Sequence, residues 1–164
     1  MKLKNIFIWI AILLLLTSCG TTAQGSDGET NHSGAYIAAL EKLMEEDEAL
    51  NDQKEFIAID MSHLEELNQT ERDDIVKHFE EAYDVEIKVA TMDELKEQGH
   101  FDEETMMLDG VLLSFDSIDQ ESNSKFIFEA SKYRSGLGAI GLEVIVDHQN
   151  DEWKVVGSKM LWIS

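Results

Sequence analysis

The sequence predicts an α+β domain in which two or three N-terminal helices pack on a C-terminal antiparallel β-meander, in two layers. Two observations predict this class. Apolar residues first recur at three- and four-residue steps, as on one face of a helix, and after Asp109 they alternate with polar residues, as on a strand. A chain of 164 residues with 43% hydrophobic residues is long enough for one core of this kind and too short for two.

Each helical pattern begins at a residue that can cap it, and a glycine ends the last one. The predicted caps are Ser33 or Gly34 for the first helix, Thr70 with Asp73 for the second, and Thr91 with a stop at Gly99 for the third. Short strands are predicted between them, over Phe56–Ile59 and Val85–Val89. The helical region therefore carries two short strands of its own.

The meander is predicted from four runs of alternating apolar residues: 111–115, 126–130, 142–146 and 153–155. Turn-forming residues stand between the runs, at 120–123, 135–138 and 149–151. Gly136, Gly138 and Gly141 match the letters of the dinucleotide motif G-x-G-x-x-G. Because a strand and no helix follows them, the match indicates no nucleotide site. They are predicted to form a hairpin turn with positive φ, or to let a helix lie close to the sheet.

The N-terminus has the three parts of a signal peptide. Lys2 and Lys4 precede an apolar run over 6–16, which is shorter than the ~18–20 residues that a membrane-spanning helix needs. The last residue of this run, Leu16, together with Thr17, Ser18 and Cys19 resembles the lipobox of bacterial lipoproteins. The resemblance implies that Cys19 takes a diacylglycerol and that cleavage leaves it first in the mature chain; an ordinary cleavage site or an uncleaved anchor are the alternatives.

This signal sets the predicted organisation of the chain. Residues 1–18 are the lipoprotein signal peptide, residues 19–34 are the lipidated Cys and a flexible linker rich in Gly, Ser and Thr, and residues 35–164 are a single domain. Two or three acyl chains would anchor the protein stably. The predicted location is the extracytoplasmic face of the cell membrane, and the membrane itself is the first predicted partner.

Acidic residues dominate the charge. The net charge is −21, which argues against binding a nucleic acid, whose phosphates would be repelled. Residues 35–124 hold 6 basic and 27 acidic side chains, whereas residues 125–164 hold five of each. The acidic helical half is interpreted as a solubilising surface, or else as an attractant for a cation or a basic partner.

One segment concentrates basic, aromatic and small residues in this acidic protein. Its candidate ligand-binding residues are Lys132, Tyr133, Arg134, Gly136 and Gly138. Together with Lys125 and Lys159, they are predicted to present a positive surface that recognises a carboxylate, such as a peptide C-terminus, through the Arg134 guanidinium. The alternative is an ion pair between Arg134 and an acidic helix.

The same segment, Ser131–Ala139, with Trp153-Lys154 and the terminal Met160–Ser164, resembles a family of small, mostly uncharacterised proteins from Gram-positive bacteria. Some members carry lipoprotein signals, and some are labelled substrate-binding proteins of peptide transporters. The resemblance implies a surface lipoprotein and, through that label, a peptide ligand. It implies no catalytic residue.

Other chemistry is weakly indicated. The five histidines lack metal-ligand spacing, and Asp116, Asp119, Glu121 and Asn123 are interpreted as a solvated hairpin tip instead of a calcium loop. His100 beside Asp102–Glu104 is the best candidate for acid–base work. No catalytic residue, metal or cofactor is predicted.

The sequence thus predicts a membrane-anchored binding or interaction domain without catalysis, whose partner is an envelope protein or a small ligand. A peptide-capturing accessory of an ABC transporter and a hydrolase with a carboxylate–histidine site are the alternatives.

Overall fold

The computed structural model describes residues 31–164. The predicted lipidation site Cys19 and its recognition residues Leu16, Thr17 and Ser18 lie outside the described residues. Within them, the chain forms three α-helices and a short 3-10 helix: α1 (Ser33–Glu45), the 3-10 helix (Glu48–Asn51), α2 (Gln69–Ala82) and α3 (Met92–Glu97). Of the helices in this part of the chain, none is long and apolar enough to cross a membrane.

Residues 31–164 also form one seven-stranded sheet. Its strands are β1 (Phe56–Ile59), β2 (Glu86–Val89), β3 (Phe101–Asp102), β4 (Met107–Ser122), β5 (Lys125–Ser135), β6 (Gly138–Gln149) and β7 (Glu152–Ile163). The spatial order is β2-β1-β4-β5-β6-β7, and β3 pairs with the start of β4. The prediction of mixed helix and strand content, with the helices ahead of most of the sheet, is confirmed.

The sheet as a whole is mixed, because the short strands of the helical region join it. β4, β5, β6 and β7 pair antiparallel with one another, but β1 pairs in parallel with both β2 and β4, through Ile57 opposite Ile87 and Val111. The reason is the connection. Parallel neighbours need a crossover, and α2 supplies it between β1 and β2.

The larger core lies between α1, α2 and one face of the sheet. The Tyr36 ring of α1 packs 5.4 Å from Phe115 and 5.0 Å from Phe128, measured between ring centroids, and Phe79 of α2 is fully buried. Alternate residues of the long strands complete this core: Val111, Leu113, Phe115, Phe126, Phe128, Ala130, Leu142, Val144 and Val146. The predicted period-two pattern therefore marks the buried face.

A smaller core lies on the opposite face, at the β1–β4 end. Phe56, Ala58 and Leu112 alternate along their strands with residues of the larger core, and Leu95 of α3 packs on them. Helices therefore cover both faces at this end of the sheet, which a simple two-layer arrangement does not include.

The helix caps are predicted correctly for α3 alone. Thr91 caps α3 in a capping box with Glu94, and Gly99 follows it with a φ of +81°. The cap of α2 is Asn68 and not Thr70, because Asn68 accepts from the Glu71 backbone N–H.

The predicted caps of α1 are also wrong, because α1 begins after His32 without a side-chain cap. A carboxylate from another helix stands in for it. The buried Glu71 of α2 accepts hydrogen bonds from the backbone N–H of His32 (2.8 Å) and of Asn68 (3.0 Å). One side chain thus satisfies donors at the starts of two helices.

The glycine-rich segment makes the β5–β6 turn and the start of β6, as expected, but without the predicted positive φ, which no described glycine except Gly99 adopts. Close approach explains two of its glycines. A Cβ on Gly141 would collide with the Trp162 indole, and one on Gly138 would lie 2.9 Å from Ser135 Oγ and 3.0 Å from the Leu50 side chain. The neighbours thus belong to β7, β5 and the 3-10 helix, and not to the face of an α-helix.

Candidate functional site

A cleft of about 510 Å³ opens beside the distal half of β4. Its volume falls in the range of roughly 300–1,000 Å³ that small-ligand sites occupy. Three elements line it: α1, the segment that follows β1, and β4. The lining residues are Tyr36, His63, Glu65, Glu66, Phe115, Asp116, Ser117, Ile118 and Gln120.

The cleft exists because β1 is much shorter than β4. β1 pairs with β4 over Val111–Leu113, and the chain then leaves the sheet after Asp60, whose N–H donates to the Leu113 carbonyl (2.9 Å). β4 continues to Ser122. Among residues 31–164, no strand pairs with this distal part of β4 on the side away from β5. The cleft therefore lies along an open strand edge, beyond the carboxyl end of a parallel strand.

Arg72 of α2 fixes the segment that forms the outer wall of the cleft. Its guanidinium donates to three backbone carbonyls of that segment, those of Met61 (3.2 Å), Leu64 and Leu67 (3.1 Å). Leu64 and Leu67 are also buried in the larger core. Because both backbone and side chains are held, the wall that carries His63, Glu65 and Glu66 is built into the fold.

Tyr36 supplies a hydrogen-bond donor at the inner wall. Tyr36 is 2% exposed as a whole residue, yet it lines the cleft. No described residue accepts a hydrogen bond from its hydroxyl. Burial, with smaller contributions from the nearby Glu66 and Glu71 carboxylates, raises the pKa of Tyr36 to about 12. The hydroxyl therefore keeps its proton at neutral pH and lies at the surface of the cleft, where it can donate to water or to a ligand.

Asp116 is the residue that a β-bulge adds to β4. Phe115 pairs with Ala130 and Ser117 with Glu129, so that Asp116 has no partner on β5. The Ser131 hydroxyl donates to its carboxylate at 3.4 Å. Partial burial raises the pKa of Asp116, the Ser131 hydrogen bond and His63 act in the opposite direction, and Glu129 adds to the rise.

The charges around the cleft have one sign. Glu65, Glu66 and Asp116 line it with one histidine, His63, and no lysine or arginine is among its lining residues. Carboxylates in a partly enclosed site favour a cationic ligand, since Coulomb attraction strengthens as water is excluded. The cleft can therefore hold a ligand whose ammonium or guanidinium group lies near the carboxylates and whose hydrogen-bond acceptor faces the Tyr36 hydroxyl.

The sequence reasoning missed this cleft, although one signal marks it. The apolar phase of β4 is 111, 113 and 115, and the next apolar residue is Ile118 instead of 117. Such a shift by one residue indicates a bulge at Asp116–Ser117. No sequence pattern marks the rest of the cleft lining, because no local feature predicts where the segment after β1 will lie.

The predicted ligand-binding residue Lys132 is fully buried under the turn that follows α1. Its ammonium donates to the carbonyls of Glu46 (2.5 Å) and Asp47 (3.1 Å) and to Oδ1 of Asn51 (3.1 Å). Burial is the largest influence and lowers the pKa of Lys132 from 10.5 to about 8, against the pull of nearby carboxylates. Its ammonium therefore faces the protein interior.

The other predicted binding residues lie near the start of β4. The Tyr133 hydroxyl donates to the Met106 carbonyl (2.8 Å), and the Arg134 Nη1 donates to the Gly110 carbonyl (2.9 Å), so the contact of Arg134 is a strand carbonyl and not an acidic helix. Arg134 also lines a smaller cleft of about 220 Å³ with Asp102 and Asp109. Gly136 and Gly138 form the adjoining turn. A ligand at this end stays a prediction.

The two other lysines do not join this group. Lys125 lies at the opposite end of β5 from Arg134, where it pairs with Glu121 at 2.5 Å. Lys159 lies on β7, opposite Glu143 of β6. The structure thus distributes the basic residues over the sheet instead of collecting them in one positive surface.

The predicted acid–base group is also separated. The His100 ring packs 4.9 Å from the Phe56 centroid, and its Nδ1 is 4.0 Å from Asp109 Oδ2. Asp102 instead forms a turn, where its Oδ1 accepts from the backbone N–H of Thr105 (3.1 Å) and of Glu104 (2.8 Å), and these bonds lower its pKa. Within residues 31–164, no three His, Cys, Asp or Glu side chains are placed to hold a metal ion.

The fold and site define an acidic α/β domain with a cleft on an open strand edge. The chain matches no protein-family model, and comparisons with curated proteins and with solved structures gave no match.

Proposed function

We propose that this chain is a lipoprotein, anchored through Cys19 on the extracytoplasmic face of the cell membrane, that acts by binding and not by catalysis. The lipobox-like residues Leu16 to Cys19 support the anchor, and the linker that follows supports a domain held away from the lipid. For the scaffold, we propose a single domain over 35–164 in which α1 and α2 form a layer on the β4–β7 meander. The shared core of these elements supports it.

The cleft beside β4 is the binding site that we propose, and its ligand carries a cationic group. The observation that carries the proposal is a cleft lined by three carboxylates, those of Glu65, Glu66 and Asp116, with Tyr36 at its inner wall. The Tyr36 hydroxyl can donate a hydrogen bond to an acceptor of the ligand. The carboxylates would select a positive charge next to that acceptor.

A second candidate function is peptide capture for an ABC transporter. The observation that favours it is the open edge of β4 beyond Leu113, because an extended peptide can add to such an edge through its backbone. The family resemblance of the Ser131–Ala139 segment points the same way. On this proposal the peptide carries a Lys or Arg side chain into the cleft.

The test measures the thermal midpoint of the full chain in detergent micelles by tryptophan fluorescence, at physiological salt. The probes are trilysine, triglutamate, spermidine and calcium chloride. We expect trilysine or spermidine to raise the midpoint, since a ligand that prefers the folded state stabilises it. Triglutamate should have no effect, and a response to trilysine without spermidine would favour peptide capture.

Two variants connect the response to the cleft. Asp116→Asn should weaken binding of the active probe about ten-fold, and Tyr36→Phe should weaken it while leaving the unliganded midpoint nearly unchanged. Asp119→Asn is the matched control, because it removes the same charge from β4 outside the cleft lining. Equal affinity in both Asp→Asn variants, or no response to any probe, would refute the cleft as the site. Hydrolysis of trilysine would instead support the hydrolase alternative.

A further inference from the structure

Exposed apolar side chains concentrate on β7. In the part of the chain that the structure describes, this strand carries six of the exposed large apolar residues: Val155, Val156, Met160, Leu161, Trp162 and Ile163. Trp162 is 44% exposed and Ile163 is 67% exposed. Scattered apolar residues are normal on a surface, but six on one strand, in two groups at 155–156 and 160–163, mark an interaction surface.

β7 is also the last strand of the sheet. It pairs with β6, and within residues 31–164 no strand pairs with its other side. An edge strand presents a row of unpaired backbone N–H and C=O groups. A lipid surface could accept the apolar side chains but could not satisfy that row, whereas another strand could do both.

The register of β7 limits where another strand can pair. Two shifts against β6 interrupt it, at Val156 and at Leu161, and the stretch Gly157–Met160 between them is regular. Bulges usually protect an edge from pairing. Here they confine regular pairing to a short central stretch.

The charge of β7 differs from that of the rest of the molecule. The strand has one acid, Glu152, and two lysines, Lys154 and Lys159, in a chain of net charge −21. Most of the acids lie within residues 35–124, whose strands β1 and β2 form the other end of the sheet and whose helix α1 packs on β5, β6 and β7. The edge strand β7 itself presents no net negative charge to a second acidic chain.

We propose that β7 pairs antiparallel with β7 of a second copy of this chain, about a two-fold axis at Ser158. In an antiparallel pair, two residues that lie directly opposite each other point to the same face of the sheet. A two-fold axis perpendicular to the sheet also preserves the face to which each residue points, so the axis must pass where one residue lies opposite its own copy. Self-pairing of Lys159 would oppose two like charges, whereas self-pairing of Ser158 places Lys159 opposite Gly157 of the second copy. The central regular stretch supplies the pairing, and the apolar side chains pack around it.

The geometry keeps the β1 and β2 ends of the two chains apart. Four strand spacings of ~4.8 Å place β1 about 19 Å from β7, and the two β1 strands of the dimer about 43 Å from each other. That distance is several times the screening length of ~8 Å at physiological salt. The acids at those ends therefore add little repulsion between the two chains.

Crosslinking of the full chain in membranes tests the arrangement. Ser158→Cys should yield a crosslinked dimer with a short bismaleimide, because directly opposed Cβ atoms lie about 5 Å apart. Lys77→Cys on α2 is the control, since its side chain is 71% exposed but lies far from the axis, and the unmodified chain with its single Cys19 gives the baseline. A dimer yield for Ser158→Cys no greater than for Lys77→Cys would overturn the proposal.

A second measurement does not depend on crosslinking. The double variant Met160→Glu, Ile163→Glu should raise the dimer dissociation constant at least ten-fold in sedimentation of the full chain in detergent. Leu137→Glu, at a turn residue that is 93% exposed, should leave it unchanged, and circular dichroism should show all variants folded. Sedimentation of the unmodified chain as a monomer at ~100 μM would contradict the pairing, and so would a dimer that the double variant does not weaken. Binding to lipid vesicles that is lost in the double variant would instead assign β7 to a lipid surface.

Discussion

The buried Lys132 makes a prediction that tests the fold at one side chain. Lys132→Met keeps the length and apolar character of the stem but removes three hydrogen bonds to the turn after α1. Those bonds hold the carbonyls of Glu46 and Asp47 and the amide of Asn51. Because charged hydrogen bonds are strong and their acceptors would lose a partner, we expect a destabilisation of about 2–4 kcal/mol at pH 7.

The pH dependence gives the prediction its specific form. The pKa of Lys132 is about 8 in the folded protein and 10.5 in its ordinary state, so between these values the unfolded chain binds more protons. Stability from this residue therefore increases as the pH rises from 7 to 9.5, by about 2 kcal/mol. The Lys132→Met variant lacks this increase. The difference in the free energy of unfolding between the unmodified protein and the variant should therefore grow by about 2 kcal/mol from pH 7 to 9.5.

Urea unfolding of both proteins at pH 7, 8 and 9.5 measures this difference. Lys77→Met is the control, because Lys77 is exposed on α2, and its difference from the unmodified protein should not change with pH. Tyrosine ionisation cancels in the comparison, since each variant keeps every tyrosine. A Lys132→Met difference that is constant from pH 7 to 9.5, or a destabilisation below about 0.5 kcal/mol, would refute the reasoning.

Three further substitutions test other contacts. Glu71→Gln should lower the free energy of unfolding, measured in urea, by about 1–3 kcal/mol, because an amide cannot accept from both backbone donors. Glu80→Gln, at an exposed position of the same helix, should change it by less than about 0.5 kcal/mol. Equal effects of the two substitutions would contradict the shared cap. Gly141→Ala should destabilise by about 1–3 kcal/mol and shift the tryptophan emission to longer wavelength, since its Cβ would displace the Trp162 indole. An unchanged spectrum would show that the indole does not lie there. Arg72→Met should increase protease cleavage within residues 60–67 more than elsewhere, because three carbonyls lose their donor; uniform cleavage would mean that Arg72 stabilises the fold generally.

Sequence reasoning succeeded where one local pattern decides the structure. Alternation found the buried residues of the long strands, and the Thr91 cap with its Gly99 stop found a helix that is six residues long. It failed where distant parts of the chain decide. The cap of α1 comes from Glu71, 39 positions from His32, and no local propensity predicts such a partner.

The candidate site shows the same limit. Lys132 belongs to a segment that is distinctive in composition, but its acceptors in the turn after α1 are more than 80 positions away. The cleft depends on the unequal lengths of β1 and β4 and on three carbonyls held by Arg72. Lys132, which is conspicuous in the sequence, is thus used inside the fold, whereas the cleft results from the lengths and connections of the strands.

The hydrogen bond that the His32 backbone N–H donates to Glu71 couples the start of α1 to the start of α2. The neighbouring Asn31 adds a second connection, because its Nδ2 donates to Asp74 Oδ2 at 3.0 Å. The residue after Glu71 is Arg72, which holds the wall of the cleft. A displacement of α1 relative to α2 would therefore be transmitted through two adjacent residues, Glu71 and Arg72, to the wall of the cleft.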